Sequence, residues 1–99
     1  MNTIRNLISK RKAINPEYDY GRDLCWKEEI NYLINNINES INFISSEATD
    51  EEVYWLSEVL CDIYDKTQDI RFIQIFKERA EKMNNKEMQR SIIQEINHV

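Results

Sequence analysis

The chain has 99 residues, 13 basic and 18 acidic, a net charge of -5 and 41% apolar residues. That length buries one core and not two, so a single domain over 1–99 is expected, and the apolar fraction excludes a disordered acidic chain. With one Gly and one Pro, the turn punctuation of hairpins and sandwiches is nearly absent, and the fold class is all-α.

Residues 3–14 place Ile4, Leu7, Ile8 and Arg11 on one side of a short amphipathic helix that opens after Asn2 or Thr3. Pro16 and Gly21 bracket a connector that holds Tyr18, Asp19 and Tyr20. From Asp23, the residues Trp26, Ile30, Leu33, Ile34, Ile37, Ile41 and Ile44 recur at three- and four-residue steps, which predicts a long helix to about residue 45. The asparagines at 35, 36 and 38 are the place for it to kink or split. Thr49 with Glu52 forms a capping box for a helix from Asp50 to about Lys66, with three acids in its first turn at the positive end of the helix dipole. Asp69 starts a helix to about Lys82 with Ile70, Ile73, Phe76 and Ala80 inward. Asn84 or Asn85 starts a last helix that carries Met88, Ile92, Ile93 and Ile96. Five to six short helices with brief connectors imply antiparallel hairpins, either a bundle or HEAT/TPR-like layering.

Charge is uneven along the chain: +4 over residues 1–16, -11 over 17–69 and +2 over 70–99. The acidic middle calls for a basic partner and argues against nucleic acid, and the cluster Lys10, Arg11 and Lys12 reads as a charge complement to the first helix's C-terminus. No stretch approaches the ~18 apolar residues of a membrane span, and no apolar signal region follows the basic N-terminus, so a cytoplasmic location is expected. Cys25 and Cys61 are too few and too far apart for a disulfide framework or a zinc site, and are expected as reduced thiols.

On a wheel of 100° per residue for the helix from Asp50, residues Val53, Leu56, Val59, Leu60 and Ile63 form the core face. Glu58, Asp62 and Asp65 fall within about 40° of Glu51 on the opposite side, with Trp55 among them. A surface helix ordinarily has a charged, solvated back. Here, however, like charges stand at mutually repelling spacings, and a tryptophan of the kind that anchors interfaces lies among them. The stripe is therefore read as a partner-binding surface of Glu51, Trp55, Glu58, Asp62 and Asp65, flanked by Tyr54 and joined by the connector residues Tyr18, Asp19 and Tyr20. Tyr18 and Tyr20 are also expected to pin the first helix to its neighbours.

Paired carboxylates on an exposed ridge lack the burial that would split their pKa values for acid–base work. His98 is the sole histidine, and the chain contains no nucleophile–base set, metal-ligand set or glycine-rich phosphate loop. No enzymatic activity, metal or cofactor is expected.

The stretches YDYGRDLCWKEEINYLINNINESINFI (18–44) and EEVYWLSEVLCDIYDKTQDIRFIQIFKERAEKM (51–83) resemble small helical immunity proteins encoded beside bacterial polymorphic toxins, including those of contact-dependent growth inhibition systems. The resemblance implies a cytosolic inhibitor that binds and neutralises the C-terminal domain of a cognate toxin, often a nuclease such as an EndoU-type ribonuclease. It assigns no contact residue and leaves residues 84–99 without a role. An acidic surface fits such a partner, because a nuclease presents a positive cleft to phosphate. The alternative of a different class is a helical adaptor that holds a basic peptide or protein in a hairpin groove without neutralising anything.

Overall fold

A computed structural model of the chain describes residues 2–15, 17 and 19–99, the side chain of Asp19 excepted. Of the expected connector, Tyr18, Pro16 and the side chain of Asp19 thus lie outside the described residues.

Four helices start where a side-chain oxygen takes up an orphan backbone N–H. Asn2 Oδ1 accepts from the Arg5 amide at 3.0 Å and opens α1 (Thr3–Ala13). Thr49 and Glu52 exchange both bonds of a capping box, at 3.1 and 2.8 Å, to open α4 (Asp50–Leu56). Asp69 accepts from the Arg71 amide at 3.0 Å and opens α6 (Ile70–Glu81). Asn85 accepts from the amides of Glu87 and Met88 at 3.0 and 3.1 Å and opens α7 (Lys86–Asn97).

The intervening segments depart from the sequence expectation at the connector and within the helix from Asp50, and follow it where the asparagines are expected to split the long helix. The connector does not extend to Gly21: α2 runs Asp19–Asn35, so Tyr20 and Gly21 belong to its first turn. Gly21 is buried there without a positive φ, and serves no left-handed turn. The expected long helix divides at Asn36 (φ -136, ψ 56), whose Nδ2 donates to the Tyr32 carbonyl at 2.9 Å, offering the backbone an alternative to the helical ladder. Beyond it α3 (Ile37–Asn42) passes into a π-helical turn, Phe43–Glu47. The helix from Asp50 is interrupted by a 3-10 turn at Ser57–Val59 before α5 (Leu60–Thr67). Ser57 Oγ donates to the Tyr54 carbonyl at 2.6 Å, an i−3 bond that goes with the tighter winding.

A four-residue link between α6 and α7, which pack along each other, turns the chain back on itself. The α1–α2 pair packs likewise. Contacts that skip the chain order, α1 on α4 and α7 on α4, close these hairpins round one core, whereas a stack of repeats touches only its neighbours. The near-equal extents of 31 × 29 × 28 Å agree with a closed all-α bundle. Phe43, Phe72 and Phe76 are fully buried at its centre with Ile4, Ile8, Leu33 and Ile92. Each such side chain contributes roughly 1.5–3 kcal/mol by leaving water.

Two positions expected inward on α6 and α7 are not. Ile70 is 52% exposed because it is the first residue of its helix, and Phe72 and Ile75 take the buried places instead. Ile93 is exposed on α7, beside the buried Ile92. Cys25 and Cys61 are free thiols, the first buried and the second half-buried.

Candidate partner-binding surface

The basic face of α1 lies against the acidic start of α4. Arg5 forks onto Glu52 at 2.7 and 3.1 Å and also donates to the Glu47 carbonyl at 3.2 Å. Lys12 pairs with Glu51, and Lys10 with Glu28 of α2 at 2.9 Å. Arg11 forks onto Glu58 at 3.0 and 2.8 Å. From the other side of α4, Arg79 bridges Asp50 at 3.0 Å and the Ile44 carbonyl at 2.6 Å. The Arg5 guanidinium holds the Glu52 carboxyl below its ordinary range, as Arg71 does for Asp69.

Arg11 is the centre of this arrangement. Its guanidinium carbon sits 5.0 Å from the Trp55 ring centroid and 5.6 Å from that of Trp26. The Trp26 indole N–H donates to the same Glu58 carboxylate at 3.0 Å. Glu58 and Trp55 are therefore both half-buried and engaged inside the molecule. The expectation that they stand on an outward ridge, with Glu58 repelling its neighbours, is corrected by the α1 helix that covers them.

The stripe also fails to run straight. A 3-10 turn advances about 120° per residue, so the three residues 57–59 rotate α5 by about 60° relative to a continuous wheel. Asp62 is consequently turned away from the line of Glu51, towards α2. Asp62 and Asp65 are both exposed, and among the described residues neither pairs with a cation. Tyr54 turns to the α7 side of its helix, lining a hollow with Asn85, Glu87 and Met88, and meets the Trp55 ring edge-on at 5.8 Å. Tyr20 is 65% exposed in the first turn of α2.

What the chain does bring together with Asp62 is Tyr20. The two line one groove of about 320 Å³ between α2 and α5, together with Asp23, Leu24 and Lys27. Leu24 is 42% exposed.

Behind Arg11 lies a carboxyl that was read only as part of the charge count. Glu29 of α2 is 1% exposed, and neither of its oxygens has a hydrogen-bond partner among the described residues. Burial, and next the nearby Glu58, push it up to about 8, against the opposing pull of Arg11. Its position three residues after Trp26 and four before Leu33 puts it on the apolar side of α2, a signal legible in the sequence. Burial also raises the thiols of Cys25 and Cys61. Among the described residues no group of His, Cys, Asp or Glu is placed to hold a metal, and no helix is long and apolar enough to cross a membrane.

No family model, no curated protein and no solved structure matches this chain.

Proposed function

We propose that the chain is a stoichiometric inhibitor that binds a basic toxin domain, in the first instance a nuclease such as an EndoU-type ribonuclease, in the cytoplasm of the cell it protects. The reading takes up the resemblance of residues 18–44 and 51–83 to immunity proteins, and one observation carries it further. Of the seven carboxylates between Asp50 and Asp69, five are paired to arginine or lysine within the molecule. Among the described residues Asp62 and Asp65 are the two left over; both are exposed, and Asp62 lines a groove with the exposed Tyr20 and Leu24. Uncompensated acid next to exposed apolar surface favours a basic protein over a phosphate polymer or an anionic membrane. The protein acts by occupying its partner rather than by chemistry.

Co-expression with a toxin domain encoded beside it tests the proposal, followed by pull-down and a growth assay. A one-to-one complex and restored growth are expected. Growth arrest with no complex would dispose of it.

The adaptor reading has its own observation. Ile73, Ile93 and Ile96 line a groove of about 280 Å³ between α6 and α7, with Lys77 and Glu81 at its edge. A partner bound there with no loss of its own activity would favour the adaptor.

A further inference from the structure

We infer that the groove between α2 and α5 is the docking surface for a basic segment of a protein partner, in which an apolar side chain enters between Tyr20 and Leu24 and flanking Lys or Arg residues meet Asp23 and Asp62. This names the contact site for the inhibitor proposed above and rests on that reading for the identity of the partner.

The apolar half of the argument is positional. Tyr20 and Leu24 stand four residues apart, one turn of α2, so their side chains lie on the same side of the helix. They are 65% and 42% exposed, and they share one groove whose inner side is the half-buried Trp26 and the buried Ile30. An amphipathic helix does not ordinarily spend two large apolar side chains on water when its inner face is already occupied by Cys25, Ile30 and Leu33.

The charged half selects the occupant. Asp23 and Asp62 face the groove from α2 and α5, and Asp65 follows one turn beyond Asp62. Of the acids between residues 50 and 69, Asp50, Glu51, Glu52, Glu58 and Asp69 pair with arginine or lysine, so among the described residues Asp62 and Asp65 are the ones that segment leaves for a visitor. Lys27 is the one cation lining the groove among the described residues, and two aspartates oppose it. A phosphate chain would be repelled, and an uncharged apolar peptide would leave the aspartates desolvated without partners. A basic segment with an apolar anchor satisfies both halves. The mixed-sign α6–α7 groove offers no such selection.

Two arms test this. In the first, the chain is titrated by NMR with a synthetic peptide carrying one Phe between Arg and Lys residues, and with a counterpart in which the basic residues are Glu. Shifts confined to Tyr20, Leu24, the Trp26 indole and Asp62, seen with the basic peptide only, are expected. Shifts centred on α6 and α7, equal response to both peptides, or no response at millimolar peptide would overturn the inference. In the second arm, the candidate toxin domain is bound to wild type, to Tyr20→Ser/Leu24→Ser and to Asp23→Asn/Asp62→Asn, with Ile93→Ser as control. The substituted side chains are exposed or line the rim, and circular dichroism verifies folding. Each groove variant should lose at least tenfold in affinity, the aspartate variant mainly at low salt, and the control none. Wild-type affinity in both groove variants overturns the docking surface while leaving the inhibitor reading intact. A toxin that does not bind wild type, together with basic-peptide shifts in the groove, removes the inhibitor reading and leaves the docking surface standing. Concentration-dependent dimerisation of wild type that is abolished in Tyr20→Ser/Leu24→Ser would assign the groove to a second copy and overturn the inference.

Discussion

Arg11 holds Glu58 across 47 residues of sequence with two hydrogen bonds, its guanidinium packed against the rings of Trp26 and Trp55. The pair joins α1 to the turn between α4 and α5, and the Trp26 indole ties α2 to the same carboxylate.

Removing either partner should therefore weaken the free protein. The Arg11 side chain is only 11% exposed, and hydrogen bonds to charged groups are worth about 1.5–3 kcal/mol each way. Arg11→Ala is expected to cost about 2–3 kcal/mol, and Glu58→Gln about 1–2 kcal/mol because the amide oxygen still accepts from Trp26. Urea unfolding monitored by tryptophan fluorescence measures both. Wild-type midpoints in both variants would mean that the cluster contributes nothing to stability.

Asp62 and Asp65 should behave in the opposite way. Both are exposed and three residues apart on α5, so Asp62→Asn/Asp65→Asn relieves a repulsion of a few tenths of a kcal/mol and removes no partner found among the described residues. The melting temperature should stay level or rise slightly. A fall of several degrees would point to a structural partner for one of them.

Glu29 predicts a pH dependence of stability. The unfolded chain releases this proton near the ordinary 4.5, whereas the folded chain holds it to about 8. Below both values the two states are equally protonated and the buried carboxyl carries no charge. Between them the unfolded state binds fewer protons, so stability declines as pH rises, by as much as about 1.4 kcal/mol per pH unit and a few kcal/mol in all. Above about 8 the decline levels off. The lowered carboxyls of Glu52 and Asp69 work the other way, and their stabilisation is lost as pH falls through the acid range. Glu29→Gln keeps the site neutral throughout, so its stability should be nearly flat from pH 5 to 8 and exceed wild type at the upper end. An unaltered slope in denaturant titrations of the variant would assign the dependence elsewhere.

Gln68 ends α5 with φ 53, a left-handed conformation in a residue that has a Cβ. Such a residue costs roughly 1–2 kcal/mol relative to glycine. Its side chain offsets part of that by donating to the carbonyls of Tyr64 and Asp65 at 3.1 and 3.2 Å. Gln68→Gly is expected to raise stability by about 0.5–1 kcal/mol, readable as a higher melting temperature. Destabilisation would show that the two side-chain hydrogen bonds outweigh the strain.

The starts of α4 and α6 were legible to the residue, and those of α1 and α7 to one of two neighbours, because capping is settled within four residues: Asn2, Thr49, Asp69 and Asn85 each bond the turn they begin. The character of the acidic stripe was not. A helical wheel assumes one winding throughout, and Ser57 changes it. The wheel also weighs charges only against others on the same helix, whereas the counterions of Glu51, Glu52 and Glu58 come from α1. Both the basic first segment and the acidic middle were visible in the sequence, but their apposition is a tertiary event that no local pattern encodes. Asp62 remained a candidate for binding because it escapes this pairing, and Tyr20 joins it in the groove through the packing of α2 on α5.

The α1–α4 apposition has a consequence in time. Of these helices α1 is the first to be synthesised, yet Arg11 cannot meet Glu58 until 47 further residues have been added, and Lys12 must wait 39 for Glu51. For that interval Arg5, Arg11 and Lys12 lack their partners while Lys10 can already meet Glu28, so the closure of the α1–α2 hairpin onto α4 comes late and over a long loop. Ionic strength should consequently act on the nascent chain more strongly than on the finished fold, in which those charges are already matched.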